Sequence, residues 1–426
     1  MAHYVLAVTP LSGHVMPMVS IGQSLQSQGH DITVLTGAEF TATVRRAGLD
    51  AVSLPDSVRI DPPAAMAGWL RRVPAQARRF WLGRAELRSV FVDPLVAEAE
   101  SLRALLRGRP VDAILADVTF TGALPILLRD AVHPPIVVCG VGPLTLSSRD
   151  TPPFGMAWQP EPGLDYREMT AVAHRVIMRP SQRRFDRALR RAGGGPAPVF
   201  ISDWPRLADA LLQLSVVSFE YSRADLPATV ELVRPVLPDG PDDAELPGWW
   251  DDVRDAKTVV HVTQGTFDNT DLDQLIAPTL EALSDCDDLL VVATTGGRPG
   301  QQLRGRIPAN ARLADWVPYS ALMSHVDVMV TNGGYGGVQY ALSRGVPLIV
   351  AGETSDKAEV AARVDHCGAG IDLRTATPSP DALRAAVDRV RNDHTYRAAA
   401  LRLRSDIESA TPVDAIAHAL KRCCGA

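Results

Sequence analysis

A short apolar segment followed by a loop and a helix opens both halves of this sequence, and this repeat constrains the fold more than any other feature. Residues 4–8 form an apolar run, 9–14 a loop, and a helical pattern then leads to a second apolar run at 32–35. The alternation starts again at 259–262. Apolar strands that alternate with helices form parallel sheets covered on both faces. The sequence therefore predicts two doubly wound α/β domains in tandem.

Further segments extend this pattern along the chain. The other predicted strands are 113–116, 136–138, 289–293, 328–331 and 348–351. Helices predicted in the second half are 272–283, 358–367, 380–392, 396–409 and 413–421. Sheets of this kind bind ligands at the carboxyl ends of their strands, and two tandem domains form a cleft there. We therefore expect the functional site in a cleft between the domains.

The length of the chain also favours two domains. With 426 residues it exceeds what one hydrophobic core usually serves, so domains of roughly 200 residues each are expected. Residues 237–243 combine turn-forming residues with acids, as linkers do. We predict a first Rossmann-like domain over 1–236, a linker over 237–254, a second Rossmann-like domain over 255–410, and a C-terminal helix within 411–426 that packs back on the first domain.

Composition and charge argue against several classes of protein. A hydrophobic fraction of 46% is too high for a disordered chain, and a formal net charge of −6 argues against general nucleic-acid binding. No apolar stretch is long enough to span a bilayer, and the sequence starts with a strand pattern rather than a signal peptide. The five cysteines are scattered, without metal-binding spacing. We expect a cytoplasmic protein.

Two arginine-rich runs stand apart from the strand and helix pattern. The first lies in a helix-rich region over 62–106, around Phe80 and Trp81, and the second spans 175–191. A helix face that contacts a membrane or an anionic ligand is one interpretation, and a solvated helix face is the other. We favour solvated faces for both runs.

A glycine-rich turn is the strongest candidate for a binding site. The strand at 328–331 leads into the turn 331–337, with the sequence TNGGYGG, and a helical pattern begins at Val338. Glycines let the backbone approach a ligand closely, and a helix N-terminus offers unpaired N–H groups to a diphosphate. The spacing matches neither a P-loop nor a dinucleotide fingerprint. Taken alone, the segment is equally compatible with a tight turn that binds nothing.

The surroundings of this turn favour the binding interpretation. Upstream lies 315–318 (DWVP), and downstream lie 345–347 (GVP) and 356–357 (DK). In the first half, 13–17 (GHVMP) precedes 28–33 (QGHDIT). In type and order these motifs closely resemble those of the nucleotide-sugar-dependent glycosyltransferases of the two-domain GT-B fold, the relatives of plant and bacterial natural-product enzymes. The resemblance covers nearly the whole chain.

This resemblance implies a donor-binding role for each motif. The donor base would stack on Trp316, and the turn 332–337 would cradle the diphosphate. Asp356 and Lys357 would contact hydroxyls of the donor sugar, and the loop 263–266 would lie beside the phosphates. The implied donor-binding residues are Thr263, Gly265, Thr266, Trp316, Val317, Asn332, Gly333, Gly334, Gly336, Gly337, Gln339, Asp356 and Lys357.

His14 and Asp117 are the candidate catalytic residues. An alcohol must lose a proton as it attacks an anomeric carbon, and an imidazole can accept that proton near neutral pH. His14 follows the first predicted strand, and in the resembling family the matching histidine is this base. Asp117 ends the run 113–117 and matches the aspartate that orients the histidine, as in other His–Asp pairs.

The sequence departs from the family pattern at three positions. Asn332 replaces the phosphate-binding histidine, and an asparagine can donate a hydrogen bond but cannot become cationic. Tyr340, with Gln339 beside it, stands where a glutamate often holds the donor ribose, so the ribose contact stays open. Lys357 stands where glutamine is common. We hypothesise that its charge offsets the missing histidine.

The string Asp271-Leu272-Asp273 matches the DxD pattern that holds a metal in a different transferase architecture. Here it opens a predicted helix, where acidic side chains interact favourably with the helix dipole. We therefore interpret it as a helix start and expect no metal. No cofactor is expected either, because the nucleotide sugar is a co-substrate.

Together these features predict a metal-independent, inverting glycosyltransferase. It would move a sugar or deoxysugar from a UDP- or dTDP-sugar to a hydroxyl of a small apolar natural product, such as a polyketide or macrolide. The acceptor would lie in the first domain. Aromatic candidates for its pocket, each with core packing as the alternative, are Phe80, Trp81, Phe91 and Phe120.

Two other functions stay open. An epimerase or hydrolase of the same fold would bind the nucleotide sugar but would need no acceptor. A non-enzymatic partner of another glycosyltransferase would explain the replacements at Asn332 and Tyr340, whereas His14 and Asp117 favour an enzyme. The expected partners are a nucleotide sugar and a small-molecule acceptor, with no nucleic acid and no integral membrane segment. Whether the chain forms a homodimer stays open as well.

Overall fold

The first half of the chain forms a parallel sheet in the computed structural model, which describes residues 1–60, 75–129, 132–237, 245–300, 303, 307–354, 356–411 and 414–424. Seven strands pair in the order β3-β2-β1-β4-β5-β6-β7. Their bounds are β1 His3–Ala7, β2 Asp31–Thr36, β3 Asp50–Ser53, β4 Ala113–Asp117, β5 Ile136–Gly140, β6 Ala210–Leu214 and β7 Val230–Val233.

The second half repeats this arrangement with six parallel strands. They pair in the order β10-β9-β8-β11-β12-β13, which is the order of the first sheet without its last strand. Their bounds are β8 Val259–Thr263, β9 Leu290–Thr294, β10 Ala311–Ala314, β11 Val328–Thr331, β12 Leu348–Val350 and β13 Gly370–Asp372. The prediction of two doubly wound, parallel-sheet domains is confirmed.

Helices connect the strands and cover both sheets. In the first half they are α1 Ser12–Ser27, α2 Thr41–Arg46, α3 Ala75–Glu86, α4 Leu95–Gly108, α5 Leu124–Arg129, α6 Arg167–Val172 and α7 Arg179–Arg191. In the second half they are α8 Trp250–Asp255, α9 Ile276–Ala282, α10 Tyr319–Leu322, α11 Tyr335–Ser343, α12 Lys357–His366, α13 Pro380–Asn392, α14 His394–Ser409 and α15 Ala415–Cys423. Within the described ranges, no helix is both long enough and apolar enough to cross a membrane.

Each sheet separates two hydrophobic layers. In β1, Val5 packs into the layer on one face, whereas Tyr4 and Leu6 pack into the layer on the other, because successive strand residues point to opposite faces. The last helix, α15, contributes Ile416 and Leu420 to the second of these layers. The C-terminal segment of the chain therefore lies on the first sheet.

The strand order places a binding site in each half. All strands are parallel, but the direction in which successive strands are added across the sheet reverses between the neighbours β1 and β4, and again between β8 and β11. At such switch points the loops leave to opposite sides of the sheet and open a crevice at the carboxyl ends of the strands. The first crevice holds the residues after β1 and β4, and the second holds those after β8 and β11.

We expect Gly122, in the turn that follows β4, to be essential for packing against α4. A Cβ at this position would lie 2.7 Å from the backbone nitrogen of Ala99. Gly122→Ala should therefore lower the free energy of unfolding by about 1–3 kcal/mol in urea denaturation. Gly108→Ala is the control, since nothing lies within 4 Å of that position. Equal destabilisation by both substitutions would contradict this packing.

Candidate active site

His14 and Asp117 form a hydrogen-bonded pair at the crevice of the first sheet. Helix α1 begins at Ser12, so His14 lies in its first turn rather than in the loop expected from the sequence. Asp117 is the last residue of β4. The Nδ1 atom of His14 lies 3.0 and 2.9 Å from the two carboxylate oxygens of Asp117. Because a carboxylate only accepts, Nδ1 carries the proton and Nε2 is left as the basic atom.

Asp117 is fully buried, yet its carboxylate accepts several hydrogen bonds from the protein. The hydroxyl of Thr119 donates to it at 2.7 Å, and the backbone N–H groups of Thr9 and Thr119 approach it at 3.3 and 3.4 Å. These donors stabilise the ionised carboxylate, as a buried charge requires. Asp117 can therefore hold the imidazole in one orientation.

The pair shifts the pKa of both members. Burial disfavours the charged forms, which by itself would lower the pKa of His14 and raise that of Asp117. The mutual attraction and hydrogen bond outweigh burial, so the pKa of His14 is raised and that of Asp117 is lowered. His14 remains 21% exposed, so a substrate can reach the ring.

The glycine turn begins directly after β11 and leads into α11. Gly333 has a φ of +86°, and a Cβ there would lie 2.8 Å from the Cγ1 atom of Val350. Only glycine fits this conformation and this space. At Gly336 a Cβ would meet nothing within 4 Å, so the first turn of α11 has open space beside it. That space is next to unpaired N–H groups and the positive end of the helix dipole.

Asn332 holds a neighbouring loop in place. Its side-chain amide donates to the carbonyl of Gln264 at 2.5 Å and approaches that of Asp268 at 3.3 Å. Both amide hydrogens are thereby used, which leaves no side-chain donor of Asn332 for a phosphate in this arrangement. Asn332 therefore ties the glycine turn to the loop 263–269 after β8.

The loop after β8 is organised by a buried asparagine that sequence reasoning missed. The Asn269 amide donates to the carbonyl of Gly265 at 2.9 Å and to that of Thr295 at 3.0 Å. Its oxygen accepts from Nε of Arg298 at 3.2 Å. Gly265 itself has a φ of +68°, and Thr263 accepts from its N–H at 3.2 Å. Turn-forming residues around Asn269 predict a loop, but its partners Thr295 and Arg298 are 26 and 29 residues away in the sequence, so no local motif indicates these contacts.

Trp316 lies on the surface of the second half, with 62% of its area exposed. Its indole ring covers Gly297, where a Cβ would lie 3.3 Å from the ring. The neighbouring Val317 is buried in the core. Tryptophan side chains are usually mostly buried, so an indole ring with this exposure is available to stack on a ligand.

Asp356 and Lys357 stand at the N-terminus of α12, next to the glycine turn. The ammonium of Lys357 lies 3.5 Å from a carboxylate oxygen of Asp268 and 3.3 Å from the hydroxyl of Thr354. The backbone carbonyl oxygen of Lys357 would lie 3.2 Å from a Cβ atom at Gly333. Lys357 therefore places a buried cation close to the turn, where its charge is partly balanced by Asp268.

The two crevices approach each other. The hydroxyls of Ser12 and Thr266 are 2.9 Å apart, and Ser12 is two residues from His14. The Asp356 carboxylate lies 3.4 Å from the Cβ position at Gly142, and its charge helps to raise the pKa of His14. The predicted catalytic pair and two of the predicted donor-binding residues, Thr266 and Asp356, are thus brought to one cleft.

Several other predicted residues lie away from this cleft surface. Gln339 is buried in α11, and Tyr340 packs its ring against Tyr319 in the core. Phe120 is fully buried in the core of the first half, so the structure gives it a packing role. Phe91 is partly buried against the same core.

Trp81 is 55% exposed, whereas the side chain of Phe80 lies outside the described residues. Asp271 caps a short helical turn, Leu272–Gln274, by accepting from the N–H of Asp273. This confirms the helix-start interpretation of the DxD string.

Within the part of the chain that the structure describes, no three His, Cys, Asp or Glu side chains are grouped to hold a metal.

Comparisons with known proteins identify the family. The C-terminal domain model of erythromycin biosynthesis protein CIII-like proteins matches residues 277–422. The 4'-demethylrebeccamycin synthase of Lentzea aerocolonigenes is 36% identical over 422 residues, covering 95% of each chain. This chain belongs to the natural-product glycosyltransferase family. The glycosyltransferase is also 33% identical over 434 residues to UDP-glycosyltransferase 2 of Phaeomoniella chlamydospora, covering 97% of this chain and 94% of the relative.

The solved structures agree in fold. Spinosyn rhamnosyltransferase SpnG, solved with thymidine diphosphate, aligns with a TM-score of 0.69 at 20% identity, over 99% of this glycosyltransferase and all of that chain. Both have the GT-B fold. The two crevices described above are therefore those of a glycosyltransferase with two Rossmann-like domains.

We expect His14 to titrate above its ordinary pKa of 6.5, because it donates to an ionised carboxylate. In Asp117→Asn the stabilising charge is gone while burial remains, so the pKa of His14 should fall below that of the wild type. Histidine titration by NMR measures both values, with the His14 signal assigned from its loss in His14→Gln. An unchanged titration in Asp117→Asn would contradict the proposed pairing.

Proposed function

We propose that this glycosyltransferase moves a sugar from a UDP- or dTDP-sugar to a hydroxyl of a small apolar natural product, with inversion at the anomeric carbon. The observation that carries this proposal is the His14–Asp117 pair, which lies in the same cleft as Thr266 and Asp356. A base on the first domain thereby meets the predicted donor site on the second.

The reaction is a single displacement. The acceptor oxygen attacks the anomeric carbon as the bond from that carbon to the diphosphate oxygen breaks. Nε2 of His14 takes the hydroxyl proton, and Asp117 stabilises the imidazolium that forms. Attack from the side opposite the leaving group inverts the configuration.

The diphosphate carries away the bonding electrons and must be stabilised. We assign this role to the N–H groups at the start of α11 and to the ammonium of Lys357, since both are fixed before the reaction. This set of donors supports a metal-independent mechanism. Asn332 takes part indirectly, because its amide holds the loop that carries Thr266.

Trp316 is the proposed platform for the donor base. Its exposed ring beside Gly297 suits stacking, while uracil and thymine differ too little at the ring face for stacking to select between them. One relative is named a UDP-glycosyltransferase, and one structural neighbour was solved with thymidine diphosphate. We therefore propose either a UDP-sugar or a dTDP-sugar as the donor. With Tyr340 in the core, the ribose contact must come from another residue.

The acceptor is proposed to bind on the first domain, near His14. Trp81 and Phe91 remain candidates for its pocket, as does Phe80, whereas Phe120 is withdrawn because it is fully buried. One relative is named for the natural product that it makes, 4'-demethylrebeccamycin, which supports a natural-product acceptor. A hydrolase of the same fold would release free sugar without any acceptor, which product analysis distinguishes.

Calorimetric titration with UDP and with dTDP tests the donor site. We expect micromolar binding of at least one, weakened by about 5- to 150-fold in Trp316→Ala, because base stacking contributes about 1–3 kcal/mol. Trp316→Phe keeps an aromatic face and should retain most of the affinity. If neither nucleotide binds the wild type, the donor assignment is wrong.

Transfer assays across pH test the catalytic pair. His14→Gln should reduce kcat by roughly 10²- to 10⁴-fold while nucleotide affinity stays within a factor of about two, because the base acts on the acceptor. His14 must be neutral to accept a proton, so kcat/KM should rise with pH through a value above 6.5. Wild-type kcat in His14→Gln would exclude His14 as the base.

A further inference from the structure

A segment of the first domain crosses to the second beside the catalytic pair. We call residues 141–159 the strap. It leaves the end of β5, whose Cys139 is the register partner of Asp117, and it reaches helix α12. The strap therefore begins one strand away from His14 and Asp117 and ends on the helix that carries Asp356 and Lys357.

Glu359 of α12 holds the far end of the strap. One oxygen of its buried carboxylate accepts from the N–H groups of Gly155 and Ala157, both at 2.8 Å. Gly155 has a φ of +96° and Ala157 a φ of +54°. The left-handed conformation is unfavourable for alanine and persists where surrounding contacts require it. The two charge-assisted hydrogen bonds to Glu359 are the contacts that hold Ala157 in this conformation.

Arg363 links this contact to the near end of the strap. Its guanidinium is 1% exposed and donates to Glu359 at 2.9 Å and to Glu220 at 3.0 Å. Glu220 in turn accepts from the backbone N–H of Leu144 at 3.1 Å. One guanidinium thus joins two carboxylates that hold the strap at Leu144 and at residues 155–157.

A third contact fixes the last residue of the strap. Nε2 of Gln159 donates to a carboxylate oxygen of Asp365, also on α12, at 2.6 Å. Glu359 and Asp365 are six residues apart on the helix, so the strap end follows α12 for nearly two turns. Helix α12 therefore carries the predicted sugar contacts at its N-terminus and the strap contacts along its length.

We propose that Glu359 is a positioning residue that holds the strap against α12 and keeps water out of the cleft during transfer. This inference rests on the proposed function. If the strap loosens, water competes with the acceptor. The water oxygen attacks the anomeric carbon and gives up a proton to Nε2 of His14, the bond from that carbon to the diphosphate oxygen breaks, and free sugar and nucleoside diphosphate are released. Glu359 then determines how much donor is used for transfer rather than for hydrolysis.

Glu359→Gln is the variant of choice. The amide keeps an acceptor for the strap but loses the charge, and charged hydrogen bonds are about twice as strong as neutral ones. Arg363 remains paired with Glu220, which limits the cost to folding. Gln159→Ala weakens the strap independently of that pair. Glu168→Gln makes the same chemical change on the exposed surface of α6 and serves as the matched control.

Three measurements on the full chain separate positioning from simple stability. Hydrogen–deuterium exchange follows the amides of 154–159, calorimetry gives the affinity for UDP and dTDP, and product analysis gives the ratio of free sugar to glycoside. We expect Glu359→Gln to speed exchange in the strap about tenfold, which corresponds to about 1.4 kcal/mol. The free-sugar ratio should rise severalfold, with nucleotide affinity unchanged. Gln159→Ala should also raise the exchange rate in the strap and the free-sugar ratio, whereas Glu168→Gln should change neither quantity.

Two results would overturn the inference. Unchanged exchange in Glu359→Gln would mean that Glu359 does not hold the strap. Faster exchange with an unchanged free-sugar ratio would mean that the contact is structural only. A wild type that binds neither nucleotide would instead reject the proposed function, and the inference with it, whatever the exchange data show of the strap.

Discussion

The Arg363 guanidinium, buried between Glu220 and Glu359, sets how the two halves of this glycosyltransferase meet. Removing a charge from water costs several kcal/mol, which only partners in good geometry offset. Burial opposes the ionisation of Glu220 and Arg363, yet their attraction outweighs it, lowering the pKa of Glu220 and raising that of Arg363. Both therefore stay charged, and any arrangement that separates the halves breaks the ion pair between Glu220 and Arg363.

The candidate active site depends on how the two halves are placed relative to each other, because neither half contains the whole site. The strand order creates one crevice in each sheet. The first half supplies the His14–Asp117 pair, and the second supplies the glycine turn and Trp316. Their meeting is visible in the contact of Ser12 with Thr266. The proposed base and the proposed leaving-group site are useful only at a distance that one substrate can span.

Much of this could be predicted from sequence, because central strands are apolar runs and the glycine turn is local. Five strands were missed. Four of them, β3, β7, β10 and β13, are the edge strands of the two sheets and have few buried residues, whereas the fifth, β6, lies inside the first sheet and is fully buried. Edge strands bury less, so their apolar pattern is weak. The hydrogen bonds of Asn332 to Gln264 and Asp268, and the Arg363 cluster, depend on contacts between distant segments that no local motif records.

The Arg363 cluster also bears on how such enzymes can be recombined. Glu220 and the strap belong to the first half of the chain, whereas Glu359 and Arg363 belong to the second. A chimera that joined this first half to a donor domain without an arginine at the position of Arg363 would leave the Glu220 carboxylate buried with only Arg223 nearby. Exchange of donor domains between relatives is therefore constrained by charge matching at one buried position, independently of which sugar each domain accepts.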